Sequence, residues 1–180
     1  MYDKSNCIPI EVYLPSAVFR GQLFMKHARL SDYLNVKAND EMIRLDDVEI
    51  QSFKGTFSPV KSQHALIYKR QVTFVVDLST KTSAARENPE LSLVNKDAHR
   101  VLIEIGSFWM QGDVHIIRGL ELNTFADGKS FFIPLTAAKF VDLPDSEPRT
   151  FLVNRGKVNC LLPLTEALPA AAYPAIARQR

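Results

Sequence analysis

A chain of 180 residues that is 46% hydrophobic carries enough apolar material for one ordinary core or two small ones, since autonomous modules run down to about 60 residues; a disordered chain is excluded. Its 22 Lys and Arg against 20 Asp and Glu leave a formal charge of +2, far from the strongly basic balance of dedicated duplex binders. Two cysteines, Cys7 and Cys160, make no disulfide framework, "MYDKSNCIPIEVYLP" lacks the basic start and apolar block of a signal peptide, and no apolar run nears the roughly 18 residues of a membrane span, so a soluble cytoplasmic protein without membrane contact is expected.

Helical periodicity is scarce, whereas short runs rich in Val, Ile, Phe and Tyr recur between Gly, Pro, Asn and Asp. In chain order the predicted strands are "IEVYL" (10–14), "AVFRGQLFM" (17–25), "EMIRLDDVEIQS" (41–52), "ALIYK" (65–69) and "VTFVVD" (72–77). The polar stretch "STKTSAARENPELSLVNKD" (79–97) has no alternation and contains Pro89, and reads as a linker with at most one helical turn. A second series follows: "RVLIEIG" (100–106), "FWMQGDVHII" (108–117), "SFFIPLTAAKFVD" (130–142), "TFLVN" (150–154) and "KVNCLLP" (157–163). The residues after 165 carry two prolines and little pattern, and read as a peripheral tail.

The two series align. Gly112 falls on Gly21, Leu135 on Leu45 and Val158 on Val72, at offsets of 91, 90 and 86, as an internal duplication requires. The shrinking offset places a longer loop in the first copy, around "SFKGTFSPVK" (52–61). The expected organisation is therefore a first repeat over 1–78, a linker over 79–97, a second repeat over 98–165 and a tail over 166–180. A glycine inside the second strand of each copy permits the sharp bend or close backbone approach of a small barrel, so Gly21 and Gly112 read as structural.

"IEVYLPSAVFRGQLFM" resembles the first strand pair of Sm-like proteins, and "LIYKRQVTFVV" and "FLVNRGKVNCLLP" resemble their closing hairpin. In that family the turn between the last two strands lies at the mouth of a ring of subunits and holds RNA bases. The resemblance therefore implies such a role for Tyr68, Lys69 and Arg70 in the first copy and for Asn154, Arg155 and Lys157 in the second. "DYLN", from Asp32 to Asn35, is similar to the family's Asp-x-x-Met-Asn turn, although "KHARLS" is inserted before it, and the second copy's "LELNTFADG" has no such turn.

Other chemistry is thin. Asp46 and Asp47 are consecutive in a strand and face opposite sides, so without a bulge they cannot share an ion. His27, His64, His99 and His115 show no metal-ligand spacing and neither cysteine sits in a CxxC pair; Lys26, His27 and Arg29 form a small basic cluster that reads as a solvated loop beside Asp32. Cys160 alternates with Val158 and Leu162 and reads as a small buried hydrophobe. One of Phe108, Trp109 and Met110 must face outward if alternation holds. No nucleophile-elbow, phosphate-loop or dinucleotide motif is present, so no catalytic residue, metal or cofactor is assigned and no enzyme is expected.

The expectation is an all-β protein of two tandem five-stranded, Sm-like small barrels, side by side or with edge strands joined into one sheet. In the resembled family the fourth strand of one unit pairs with the fifth of the next, which would satisfy one junction within the chain and leave an edge free at either end. A non-catalytic binding or scaffold role follows, through barrel edges and hairpin tips, with a protein partner or self-association. The alternative is single-stranded RNA held by the basic turns and Tyr68.

Overall fold

Alternating apolar residues become ten strands in the computed structural model, which describes residues 6–25, 29–36, 41–79, 95–123, 128, 130–143 and 147–165. The first series forms β1 (Cys7–Tyr13), β2 (Ala17–Phe24), β3 (Met42–Ser52), β4 (Val60–Tyr68) and β5 (Phe74–Asp77), with a short helix α1 (Leu30–Asn35) between β2 and β3. The second forms β6 (Lys96–Ile105), β7 (Phe108–Ile117), β8 (Phe132–Phe140), β9 (Arg149–Asn154) and β10 (Val158–Pro163). Single 3-10 turns, Lys69–Gln71 and Arg155–Lys157, join the last two strands of each series. All ten strands lie in one antiparallel sheet in the order β10-β6-β7-β8-β9-β5-β1-β2-β3-β4, so of the two expected arrangements the joined sheet is the one found.

Three local expectations change. A helix, rather than a bare turn, follows β2, because Leu30 and Leu34 stand one turn apart and both are buried. β4 begins at Val60, five residues before the predicted 65, and pairs with β3 as far as Ile50 opposite Val60. The extra residues of the first series thus lengthen a hairpin instead of a loop. β6 begins at Lys96, inside the stretch read as linker. Most of that linker (80–94), the tail from 166, and Lys26 and His27 lie outside the described residues.

The ladders repeat. Ile10 pairs with Gly21 and Val101 with Gly112; Gln22 pairs with Asp46 and Asp113 with Thr136; Ile43 pairs with Ile67 and Ile133 with Val153; Val12 pairs with Val75 and Ile103 with Leu161. Each second pair is the first moved along by 91, 90 or 86 residues, the offsets of the sequence alignment.

Both halves break register at the same place, between Arg20 and Gln22 and between Gln111 and Asp113. A Cβ on Gly21 would stand 3.0 Å from the Asp46 carbonyl oxygen, and one on Gly112 would stand 2.7 Å from Leu135 Cγ and 3.0 Å from the Thr136 carbonyl oxygen. Only a glycine lets the next strand come so close. Opposite each glycine the third strand carries an extra residue with positive φ, Asp47 at 50° and Ala137 at 48°, as a bulge requires. Alanine is strained there, and Ala137 is exposed with nothing to lose. Ala137→Gly is therefore expected to stabilise the fold by about 1 kcal/mol, read as a raised denaturant midpoint at unchanged slope.

The second half must also curl. Three residues separate β9 from β10, and such a link spans at most ~14 Å. Yet four strand spacings separate them in the sheet order, about 19 Å on a flat surface. The buried residues gather in two cores. Ile8, Ile10, Val12, Leu23, Ile43 and Leu45 gather in the first, and Val101, Ile103, Ile105, Met110, Val114 and Leu135 in the second. The ladder order leaves the whole sheet open, ending at β4 on one side and β10 on the other.

Candidate interaction surfaces

Chemistry-bearing side chains fall in three places: the two basic turns, the seam where the halves meet, and the free edges. In the first turn Tyr68 is 44% exposed, and the Arg70 guanidinium lies 5.2 Å from its ring centroid. The Lys69 ammonium lies 5.6 Å from the ring centroid of Tyr33. That contact brings α1 against the turn, so Asp32, which is exposed, and the Tyr68–Arg70 group belong to one neighbourhood although 36 positions separate Asp32 from Tyr68. Cation–aromatic pairs of this kind contribute about 0.5–1 kcal/mol at exposed sites, a modest bias toward this arrangement.

The second turn is arranged differently. Asn154 is 1% exposed; its amide donates to the Val72 carbonyl at 2.7 Å, and its oxygen accepts from the Gly156 amide at 3.0 Å. Arg155 is half-buried, with its guanidinium against Gly128. Lys157 lines a cavity of about 420 Å³ with Pro15, Thr73, Gly106, Ser107, Phe108 and Asn159. Asn35 spends both polar atoms on one backbone position, its amide donating to the Phe132 carbonyl at 2.9 Å and its oxygen accepting from the Phe132 amide at 2.7 Å. Of the eight residues singled out by resemblance, Asn35 and Asn154 thus tie one half to the other. Tyr68, Lys69 and Arg70 form one group with Tyr33, Asp32 stands next to Tyr33 on α1, and Arg155 and Lys157 belong to the second turn.

At the seam β5 pairs with β9, setting Phe74 opposite Val153, Val75 opposite Leu152 and Val76 opposite Phe151. All six side chains are buried. Val75 and Leu152 point into the first core, and the other four into the second. Each strand therefore gives one face to its own half and the other to its neighbour. Aromatic rings close the second face: Tyr13 stacks on Phe74 at 4.2 Å, and Phe108, Phe140 and Phe151 surround Phe74 at 5.1–5.8 Å. The Tyr13 hydroxyl donates to Glu11 at 2.9 Å, and burial, reinforced by the Glu11 charge, pushes this phenol above its usual range. None of this was visible in linear order, because Asn154 and Val72 lie 82 residues apart and Asn35 and Phe132 lie 97 apart. The one clue was uninterrupted apolar character in "FVV" and "FLV", which marks strands buried on both faces.

The free edges carry the same pattern without its cover. Of the nine residues of β4 only Ile67 is buried; Leu66 is 60% exposed. No residue of β10 is fully buried, and Leu162 is 45% exposed. Cys160, expected to be buried, is half-buried. A register shift between Val158 and Cys160 moves Cys160 and Leu162 to the outer face and leaves Leu161 against the second core. Of the aromatic run it is Trp109 that faces outward, while Met110 is fully buried. The bulge at Asp47 falls within the acidic pair, yet Asp46 is held by Arg44 at 3.3 Å. Among the described residues no group of three or more His, Cys, Asp or Glu side chains is placed to hold a metal ion, and no helix is long and apolar enough to cross a membrane. Comparison with family models, curated proteins and solved structures finds no match to this chain.

Proposed function

We propose that this chain is a non-catalytic scaffold whose working surfaces are its two free sheet edges, and that it associates with itself through them. On this reading the chain is one bent five-stranded unit of Sm-like type written twice, each half a small barrel that closes by curling rather than by a ladder. The β5–β9 seam carries the reading, because it joins two such units edge to edge and buries both strands on both faces. An open edge with exposed leucine is a template for another strand, and a protein that remains single blunts such edges with charge, proline or a bulge. β4 carries one lysine, Lys61, and leaves Leu66 uncovered five residues further on.

The test is mass against concentration. Light scattering of the intact chain is expected to give more than one chain per particle, rising with concentration, and Leu66→Lys is expected to return single chains with unchanged circular dichroism. A single chain at every concentration removes the reading.

A second reading rests on the cluster at the first turn, where Arg70 lies on the exposed ring of Tyr68 and Lys69 on Tyr33. Cations held beside aromatic faces suit single-stranded RNA, whose bases stack while its phosphates are neutralised. A uridine-rich oligonucleotide is then expected to bind less tightly as salt rises, and to lose on the order of tenfold or more in affinity with Lys69→Ala and Arg70→Ala together. A flat titration removes it.

A further inference from the structure

The inner seam carries a site apart from the free edges. The cavity of about 420 Å³ beside Lys157 is built from both halves, Pro15 and Thr73 from the first and Gly106, Ser107, Phe108, Lys157 and Asn159 from the second. Its size falls in the range of small-ligand sites, about 300–1,000 Å³, and such sites favour the joints between folded units.

The two copies contribute unequally. By the offsets of 91 and 86, Gly106 corresponds to Pro15 and Asn159 to Thr73, so matching places of both copies meet at the cavity. The counterparts of Phe108 and Lys157, however, are Ala17 and Gln71. Only the second copy brings a cation and an aromatic ring. No acidic side chain lines the cavity, and among the described residues Lys157 makes no ion pair.

These groups are held in place. Phe108 lies edge-on to Tyr13, Phe53 and Phe74, at centroid distances of 5.9, 5.7 and 5.1 Å. Asn159 donates one side-chain N–H to the Gly106 carbonyl at 3.4 Å and keeps the other. Lys157 ends the turn that Asn154 ties to the first half, through the Val72 and Thr73 carbonyls.

Thr73 gives an independent sign of a ligand. It is 3% exposed, and its backbone is fully bonded: the amide donates to the Tyr13 carbonyl at 2.7 Å, and the carbonyl accepts from the Asn154 amide at 3.0 Å. Its hydroxyl alone is buried without a partner. Such a group costs stability that a valine of the same shape would not. The Thr73 methyl stands on the Gly106 side, 4.0 Å from where a Cβ on that glycine would lie, so one step of χ1 brings the hydroxyl to the cavity wall in its place.

We infer that this cavity binds a small organic monoanion, a carboxylate on a flat apolar body. Lys157 pairs with the carboxylate, Thr73, Ser107 and Asn159 donate to its oxygens, and the body lies against Phe108 and Pro15. One cation matches one charge; a dianionic phosphate would leave a charge unpaired in the site.

The test is an amide chemical-shift titration of the full chain with phenylacetate. Saturable shifts are expected at Gly106, Ser107 and Asn159, with half-saturation at about 1 mM or below, within reach of a ligand of about ten non-hydrogen atoms. Phenylacetamide, the same body without the charge, is expected to bind about tenfold more weakly or worse, and so is phenylacetate to the Lys157→Gln variant. Thr73→Val is expected to raise the urea midpoint of the free protein while weakening phenylacetate about threefold or more. Equal affinity for acid and amide, or unchanged affinity in Lys157→Gln, overturns the anion site. Inorganic phosphate that moves the same amides at the same concentration overturns the carboxylate class. A lowered midpoint or unchanged affinity in Thr73→Val overturns the part given to its hydroxyl. Shifts that never saturate, or that fall away from the cavity, overturn the site altogether. The scaffold reading is tested separately, since neither variant touches β4 or Leu66.

Discussion

Phe74→Ala is expected to cost about 3–5 kcal/mol, the range for removing a buried phenylalanine where the site cannot collapse. Phe74 is fully buried and sits where the halves share a strand. Its ring touches Tyr13 from the first half and Phe108, Phe140 and Phe151 from the second. Aromatic pairs contribute about 0.5–1.5 kcal/mol each beyond burial, so truncation removes several such contacts at once. Rigid strands on either side prevent closure of the gap. The loss equals a large part of the usual stability of a domain of this size. Urea unfolding followed by circular dichroism reads it as a lowered midpoint, while Phe131→Ala, at an exposed ring, is expected to move the midpoint by a small fraction of that shift. Equal shifts for the two variants would mean that the seam is not where the halves are held.

Gly112→Ala is expected to cost about 3 kcal/mol, the upper end of overpacking in a rigid site, and more than Gly21→Ala. A methyl at 112 meets Leu135 Cγ at 2.7 Å, the Thr136 carbonyl oxygen at 3.0 Å and Ala138 Cα at 3.1 Å. Two of these three atoms are backbone, so no rotamer change relieves them. At 21 the contacts are looser, 3.0 Å to the Asp46 carbonyl oxygen and 3.3 Å to Leu45 Cβ and to Val48 Cγ2, and the last can turn away. The same denaturation experiment ranks the two variants. If Gly21→Ala proves the costlier, the second half bends less tightly than these distances imply.

The bulges show how far local sequence reaches. A glycine inside an alternating strand announced a bend, and both glycines lie at register breaks, since a missing Cβ is a feature of the residue itself. The residue opposite was not readable: Ala137 has no intrinsic reason to adopt positive φ, and it does so because the facing strand carries the glycine. The hairpin β3–β4 was under-read for a related reason. "KSQH" (61–64) is polar on both faces and exposed throughout, so alternation vanishes where neither face is covered, and only pairing with β3 makes it a strand.

The candidate surfaces divide in the same way. Tyr68, Lys69 and Arg70 stand out in the linear chain because a basic, aromatic knot between two apolar runs marks an exposed turn. Asn35 and Asn154 stand out equally, but their amides go to backbone groups 97 and 82 positions away, and nothing in a polar side chain tells whether solvent or a distant carbonyl will take its hydrogen bonds. Strand content, the two-part organisation of the ladders and the exposed basic turn are periodic or local properties, carried by residues within a few positions of one another. Which edges meet, which faces they bury and which asparagines lock them depended on strands separated by about half the chain. Such pairings are chosen by the curl of the sheet and the shape of the cores, and these exist only once the whole polypeptide has packed.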